Sequence, residues 1–265
     1  MPTEPSTIRK STHDLAMLFA SQIVAAQLPE EVEEYFLREK KEGVPAIRRA
    51  LTLPGTIPPP AFTAEQPGFK IDDTDLPEWI GNMEKFSAKF LDHSVNLRKS
   101  FPIPDRLPWQ KVLPIFDPCL TNRQMVDNAL KSQGLGVCES TDVDKFTGAG
   151  AEEPKLYLIE RTVEPMSARS LPPKYAKLYF EGRMTRPIDL RRYGIGFGLY
   201  HDITGEYLDP RTVTLFPENI YSPYGLVAYG SWCPDYRKVD FHRHDVVYGD
   251  AVFGFREAIV LSLIL

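Results

Sequence analysis

Proline does more than any other residue to limit what this chain can build. Twenty-four prolines are spread through 265 residues, above ordinary usage, and many fall between apolar segments. A fixed φ makes such stretches rigid, extended connections. They do not signal wholesale disorder, because 15 Phe and 12 Tyr supply ample surface to bury. Pro54, Pro58, Pro59, Pro60 and Pro67, with Gly55 and Gly68, mark an extended connector or a strap pinned by Phe62 and Phe69. A second proline-rich connector covers 101–118.

Around these connectors the front half reads as helix. Leu15, Leu18, Phe19, Ile23 and Ala26 recur at helical spacing over 11–27, and a second helix runs from Pro29 to about Lys41 before Gly43. The acidic turn Asp72–Asp75 precedes a helix from Leu76, whose Ile80, Met83, Phe86, Phe90 and Leu97 share one side. The clearest local signal is Thr121-Asn-Arg-Gln124, a capping box with Leu120 and Met125 in staple positions. Val126, Ala129 and Leu130 continue its buried stripe, and Gly134 supplies the stop. Leu135–Cys138 is a strand candidate.

Farther on, the period changes to two. Strands are expected at 155–160, 176–180, 212–216, 225–229, 239–248 and 251–255, where Val, Ile, Tyr and Phe lie between Gly/Pro turns. The fold class is therefore α+β, with a helix-rich N-terminal half and a predominantly antiparallel, aromatic-rich β C-terminal half. Three regions follow: a helical 1–53, proline-rich connectors with an intervening helix over 54–118, and a mixed, strand-rich 119–265. They are compatible with one compact domain. The apolar end at 258–265 either completes an internal element or docks into another copy if no internal surface covers it.

Gly194, Gly196 and Gly198 resemble a nucleotide-binding glycine pattern only superficially. The strand, tight turn and acidic partner that such chemistry needs are missing. Alternation of Tyr193, Ile195, Phe197 and Leu199 favours a strand that approaches another backbone closely. A helix from Asp189 is the alternative, at about 1 kcal/mol per internal glycine relative to alanine.

A net charge of -5 and a pI of about 5.6 argue against a whole-surface nucleic-acid binder. The longest apolar stretch is too short for a membrane-spanning helix, so no membrane insertion is expected. The N-terminal residues lack a signal pattern. Cys119, Cys138 and Cys233 are an odd set without CxxC spacing, which favours reduced thiols and a cytoplasmic location, with one disulfide as the alternative.

Three constellations carry chemistry. Asp240, His242 and His244 face one side of a regular strand, and a carboxylate with two imidazoles suits a divalent transition metal; this is the reading of a metal-dependent hydrolase or oxygenase. Cys233 or Cys138 with His201 or His244 would be a thiol alternative, without a nucleophile elbow. Arg183, Arg186, Arg191 and Arg192 end a basic-aromatic segment over 161–192 suited to single-stranded RNA or DNA. Tyr221, Tyr224, Trp232 and Tyr236 form an aromatic cluster of interface type. With no complete catalytic pattern, and with no cofactor expected, the leading expectation is a non-catalytic protein-binding or accessory protein whose partner is another protein.

Overall fold

A computed structural model of the chain describes residues 69–70, 75–107, 109–139, 142–147, 153–165, 171–173, 176–180, 185–221, 225–246 and 252–264. The chain divides into two units, Met1–Ala61 and Phe62–Leu265, and every described residue lies in the second. The helices expected at 11–27 and 29–41 lie outside the described residues.

The elements in chain order begin with β1 (Phe69–Lys70), α1 (Leu76–Phe90), α2 (Leu97–Ser100), β2 (Arg106–Leu107), β3 (Val112–Asp117), α3 (Asn122–Met125), β4 (Gly136–Glu139), β5 (Phe146–Thr147) and β6 (Lys155–Glu160). Then come α4 (Ala176–Phe180), β7 (Arg186–Pro187), α5 (Leu190–Thr204), β8 (Val213–Tyr221), β9 (Leu226–Cys233), β10 (Lys238–His244), β11 (Phe253–Gly254) and β12 (Glu257–Ser262). The class is α+β, and its C-terminal sheet is aromatic-rich and mainly antiparallel.

Two sheets dominate. In the six-stranded sheet, β8, β9 and β10 form an antiparallel meander, β11 and β4 join it in parallel, and β5 also pairs with β8. Register slips between Phe216 and Ile220, where Pro217 has no N–H to offer the ladder. The four-stranded sheet has the order β3-β6-β12-β7 and is antiparallel throughout. β3 lies within the stretch expected to be a connector. Its Pro114 is tolerated because β3 is an edge strand, and burial of every β3 residue shows why the apolar run folds in.

Helix α5 packs against β3 of the four-stranded sheet and β9 of the six-stranded one. Every residue from Leu190 to Tyr200 is buried. Asp189 starts it, accepting the Arg192 N–H at 2.9 Å, while Asn219 Oδ1 accepts the Leu190 N–H at 2.8 Å. Of the strand and the helix that the sequence leaves open at 189–200, the chain takes the helix, started at Asp189. The glycines do permit close approach, but on a helix buried all round. A Cβ at Gly194 would strike Met125 Sδ, and one at Gly198 would strike the Ala129 carbonyl oxygen. At Gly196, on the opposite side, it would lie 2.8 Å from Ile115 Cδ1. The i, i+4 pair thus faces the α3 segment and the middle glycine faces β3. On the other side Tyr193 meets Phe216 and Phe241, with ring centroids 5.1 and 6.3 Å apart.

The capping box at α3 forms as the residue types require. The Thr121 Oγ1 accepts from the Gln124 N–H at 3.1 Å, and Gln124 Oε1 accepts from the Thr121 N–H at 2.9 Å. The helix then widens into a π-helical turn over Val126–Leu130, tightens over Lys131–Gln133 and ends at Gly134 with φ +78°. Helix α1 stops at Phe90, and Leu97 opens α2 instead of extending α1. Residues 176–180 form α4, not a strand; five mostly apolar residues are too few for period to decide.

Candidate functional site

Strand β10 keeps the predicted alternation. Val239 and Phe241 are buried, whereas Asp240, His242 and His244 are half-buried on the other face. Asp240 pairs with Ser231 and His242 with Tyr229 on neighbouring β9. The contacts are aromatic. His242 stacks on Tyr229 with centroids 5.5 Å apart and planes 13° apart, and His244 lies 4.2 Å from Phe253. His242 Nδ1 lies 2.7 Å from the Arg243 N–H nitrogen and 3.1 Å from the Arg243 carbonyl oxygen. Cys138 stands beside Asp240 on β4. Burial raises the Asp240 pKa, opposed by His242 and by the neighbouring Cys138 thiol. Burial and the charge of Asp240 push Tyr229 up to about 12. Among the described residues, no group of three or more His, Cys, Asp or Glu is placed to hold a metal ion. The strand period brings the three residues to one face without bringing them round a common point.

Cys119, Cys138 and Cys233 are free and half-buried. His201 stacks on Tyr207 at 4.8 Å, and its Nδ1 lies 3.2 Å from the Glu206 carbonyl oxygen. Burial and neighbouring Asp117 raise the Cys119 thiol above its ordinary value, which disfavours the nucleophilic thiolate.

Two of the four arginines expected at a nucleic-acid surface are internal. Arg191 and Arg192 are 8% and 2% exposed. Arg191 donates to Asp117 Oδ2 from Nε at 3.0 Å and from Nη2 at 2.8 Å, and to the Leu120 carbonyl. Arg192 Nε lies 2.7 Å from the same carboxylate oxygen, while its Nη1 pairs with Asp189. Two guanidinium groups therefore neutralise two buried carboxylates where α5 meets the end of β3. Burial on α5 withdraws Arg191 and Arg192 from any basic surface, which corrects their assignment as phosphate contacts. Arg186 is exposed on β7, and Arg183 lies outside the described residues.

A second internal ion pair links the sheets. Arg256, next to β12, pairs with Asp209 and donates at 2.9 Å to the carbonyls of Thr162 and Val163 after β6. Asp209, before β8, also accepts from Thr214 Oγ1 at 2.6 Å. Burial raises the Asp209 pKa even against Arg256 and Thr214, and raises that of wholly buried Tyr193 well above the ordinary tyrosine value. Arg256 had no linear signal. Its partner stands 47 positions away.

The four interface candidates separate. Trp232 is buried at 7% exposure and stacks on Tyr207 with centroids 3.7 Å apart. Tyr221 is half-buried under Arg243, 4.9 Å from its ring centre, and Tyr224 lies outside the described residues. Tyr236 is 74% exposed. It occupies the turn between β9 and β10, closed by the Arg237 N–H to the Pro234 carbonyl at 3.3 Å, with Arg237 at φ +51°. No helix among the described residues is long and apolar enough to cross a membrane. Comparison with protein-family models, with curated proteins and with solved structures gives no match.

Proposed function

We propose that this protein is a non-catalytic binding or accessory protein that engages another protein through the β9–β10 hairpin tip. The observation that carries the reading is Tyr236, a large aromatic held 74% in solvent. Its hairpin is paired from Lys238–Cys233 to His244–Val227, so the ring is displayed on a rigid element and loses little freedom on docking. Exposed Asp235, Arg237 and Lys238 surround it as a polar rim. Tyrosine at the centre of such a patch is a common energetic anchor. Single-stranded nucleic acid needs ring faces open to bases, and those of Tyr229 and His242 are turned toward each other.

The test places a photo-crosslinking residue at 236, identifies the captured protein and measures its affinity in purified form. Tyr236→Ala should weaken binding about 30-fold, the equivalent of about 2 kcal/mol, with an unchanged melting temperature. Equal affinity for Tyr236→Ala would remove the tip from the interface. Substrate turnover by the purified protein alone would refute the non-catalytic reading.

A further inference from the structure

We infer that a cleft at the C-terminal ends of α1 and α5 is a binding site for a small organic ammonium ion, a charged nitrogen on a short apolar tail. The cleft has a volume of about 390 Å³ and is lined by Lys89, Phe90, Ser132, Gln133, His201 and Asp202. Lys89 and Phe90 end α1, and His201 and Asp202 lie in the last turn of α5. Ser132 and Gln133 belong to the tight turn that closes at Gly134. Each of these segments brings its carbonyl end, the negative end of the helix dipole, to the same place.

The side chains add acceptors, because their donors are already used. Ser132 Oγ donates to the Asn128 carbonyl and keeps its hydroxyl lone pairs, while Gln133 Nε2 donates to the Ala129 carbonyl and leaves Oε1. His201 Nδ1 lies 3.2 Å from the Glu206 carbonyl oxygen. That oxygen only accepts, so a neutral His201 ring carries its proton on Nδ1 and keeps a lone pair on Nε2. The ring is held by its stack on Tyr207. Asp202 supplies a carboxylate. Such a set suits a cation that donates several hydrogen bonds.

Lys89 already plays the part of that cation from within the chain. Its ammonium lies 3.2 Å from Asp202 Oδ1 and 4.2 Å from the centre of the Phe90 ring. A carboxylate with an aromatic face beside it is a recurrent way of holding an ammonium group. The hold on Lys89 is weak, however. Its side chain is 62% exposed, and an ion pair so open to water contributes little. An ammonium ion from solution can therefore take its place, with its tail against Phe90, while Lys89 turns into water.

Titration of the full chain with n-butylammonium, the free equivalent of a lysine side chain, tests this by NMR at fixed ionic strength. The Gln133 side-chain amide and the His201 ring signals should shift and saturate, with a dissociation constant in the millimolar range. Lys89→Ala removes the internal competitor and should tighten binding about fivefold. Asp202→Asn in that background should loosen it by about the same factor. Lys89 and Asp202 are exposed, so the melting temperatures should stay close to the parent's. n-Butanol and butyrate, which keep the tail and lose the positive charge, should leave these signals in place. Absence of a saturable shift in the parent up to about 50 mM amine, equal affinity after Asp202→Asn, or equal shifts with butanol or butyrate would overturn the inference.

Discussion

The same substitution, glycine to alanine in a helix, should have opposite signs at Gly81 and Gly198. Both lie inside helices of 15 residues, α1 and α5, and alanine gains about 0.5–1 kcal/mol over glycine in such positions. At Gly81 a Cβ meets nothing within 4 Å, so Gly81→Ala should keep that whole gain. At Gly198 the Cβ meets the Ala129 carbonyl oxygen, which belongs to the π-helical turn and already accepts a bond from Gln133 Nε2. Backbone cannot rotate away as a side-chain tip can. Overpacking of this kind costs about 1–3 kcal/mol, and disturbing the Gln133 bond adds about 1 kcal/mol. Set against the helix gain, the net is a loss of about 1–3 kcal/mol. Urea denaturation followed by circular dichroism gives both values. In thermal scans the two variants should move apart by roughly 2–4 °C for each kcal/mol of difference. Stabilisation of Gly198→Ala equal to that of Gly81→Ala would refute the claim that α5 is pressed against this turn.

Arg256→Met leaves Asp209 buried without its cation and should cost about 3–5 kcal/mol, measured by the same denaturation; adding Asp209→Asn should recover much of it. Asp240→Asn should stabilise the protein at neutral pH. The folded pKa of Asp240 is raised, so its contribution to stability is fully present below the ordinary carboxylate pKa and is lost as pH rises through the folded value. The advantage of the asparagine variant should therefore vanish toward about pH 4 in a pH series of melting temperatures. The same variant should lower Tyr229 from about 12, seen by ultraviolet titration. Thr121→Ala removes the cap of α3 and should cost about 1 kcal/mol, against a smaller effect for exposed Ser262→Ala.

What could be read from the sequence followed the range of the forces involved. The Thr121–Gln124 box was legible because all of its partners lie within four residues. The β8–β9–β10 meander was legible as β-rich stretches between turns, and so was the shared face of Asp240, His242 and His244. The state of 189–200 was not, since alternating glycine fits a strand locally and only the neighbours on every side select a helix. Arg191 reads as surface charge because its partner Asp117 stands 74 positions away; Arg192 has Asp189 three residues before it, but its burial depends on the same distant Asp117. Tyr236 and Trp232 are of similar aromatic character in the sequence, yet only the turn geometry leaves one in solvent.

The glycine content of α5 bears on how this chain folds. Three glycines cost it about 3 kcal/mol of helical preference, and a helix of this length is marginal in water even with a good sequence. It cannot serve as an early nucleus. Its turns must wait for the strands of both sheets, which bring together residues far apart in the chain, and this places slow, long-range assembly ahead of helix formation. The amides of Ile195 to Leu199 should accordingly exchange with solvent only when the whole unit opens.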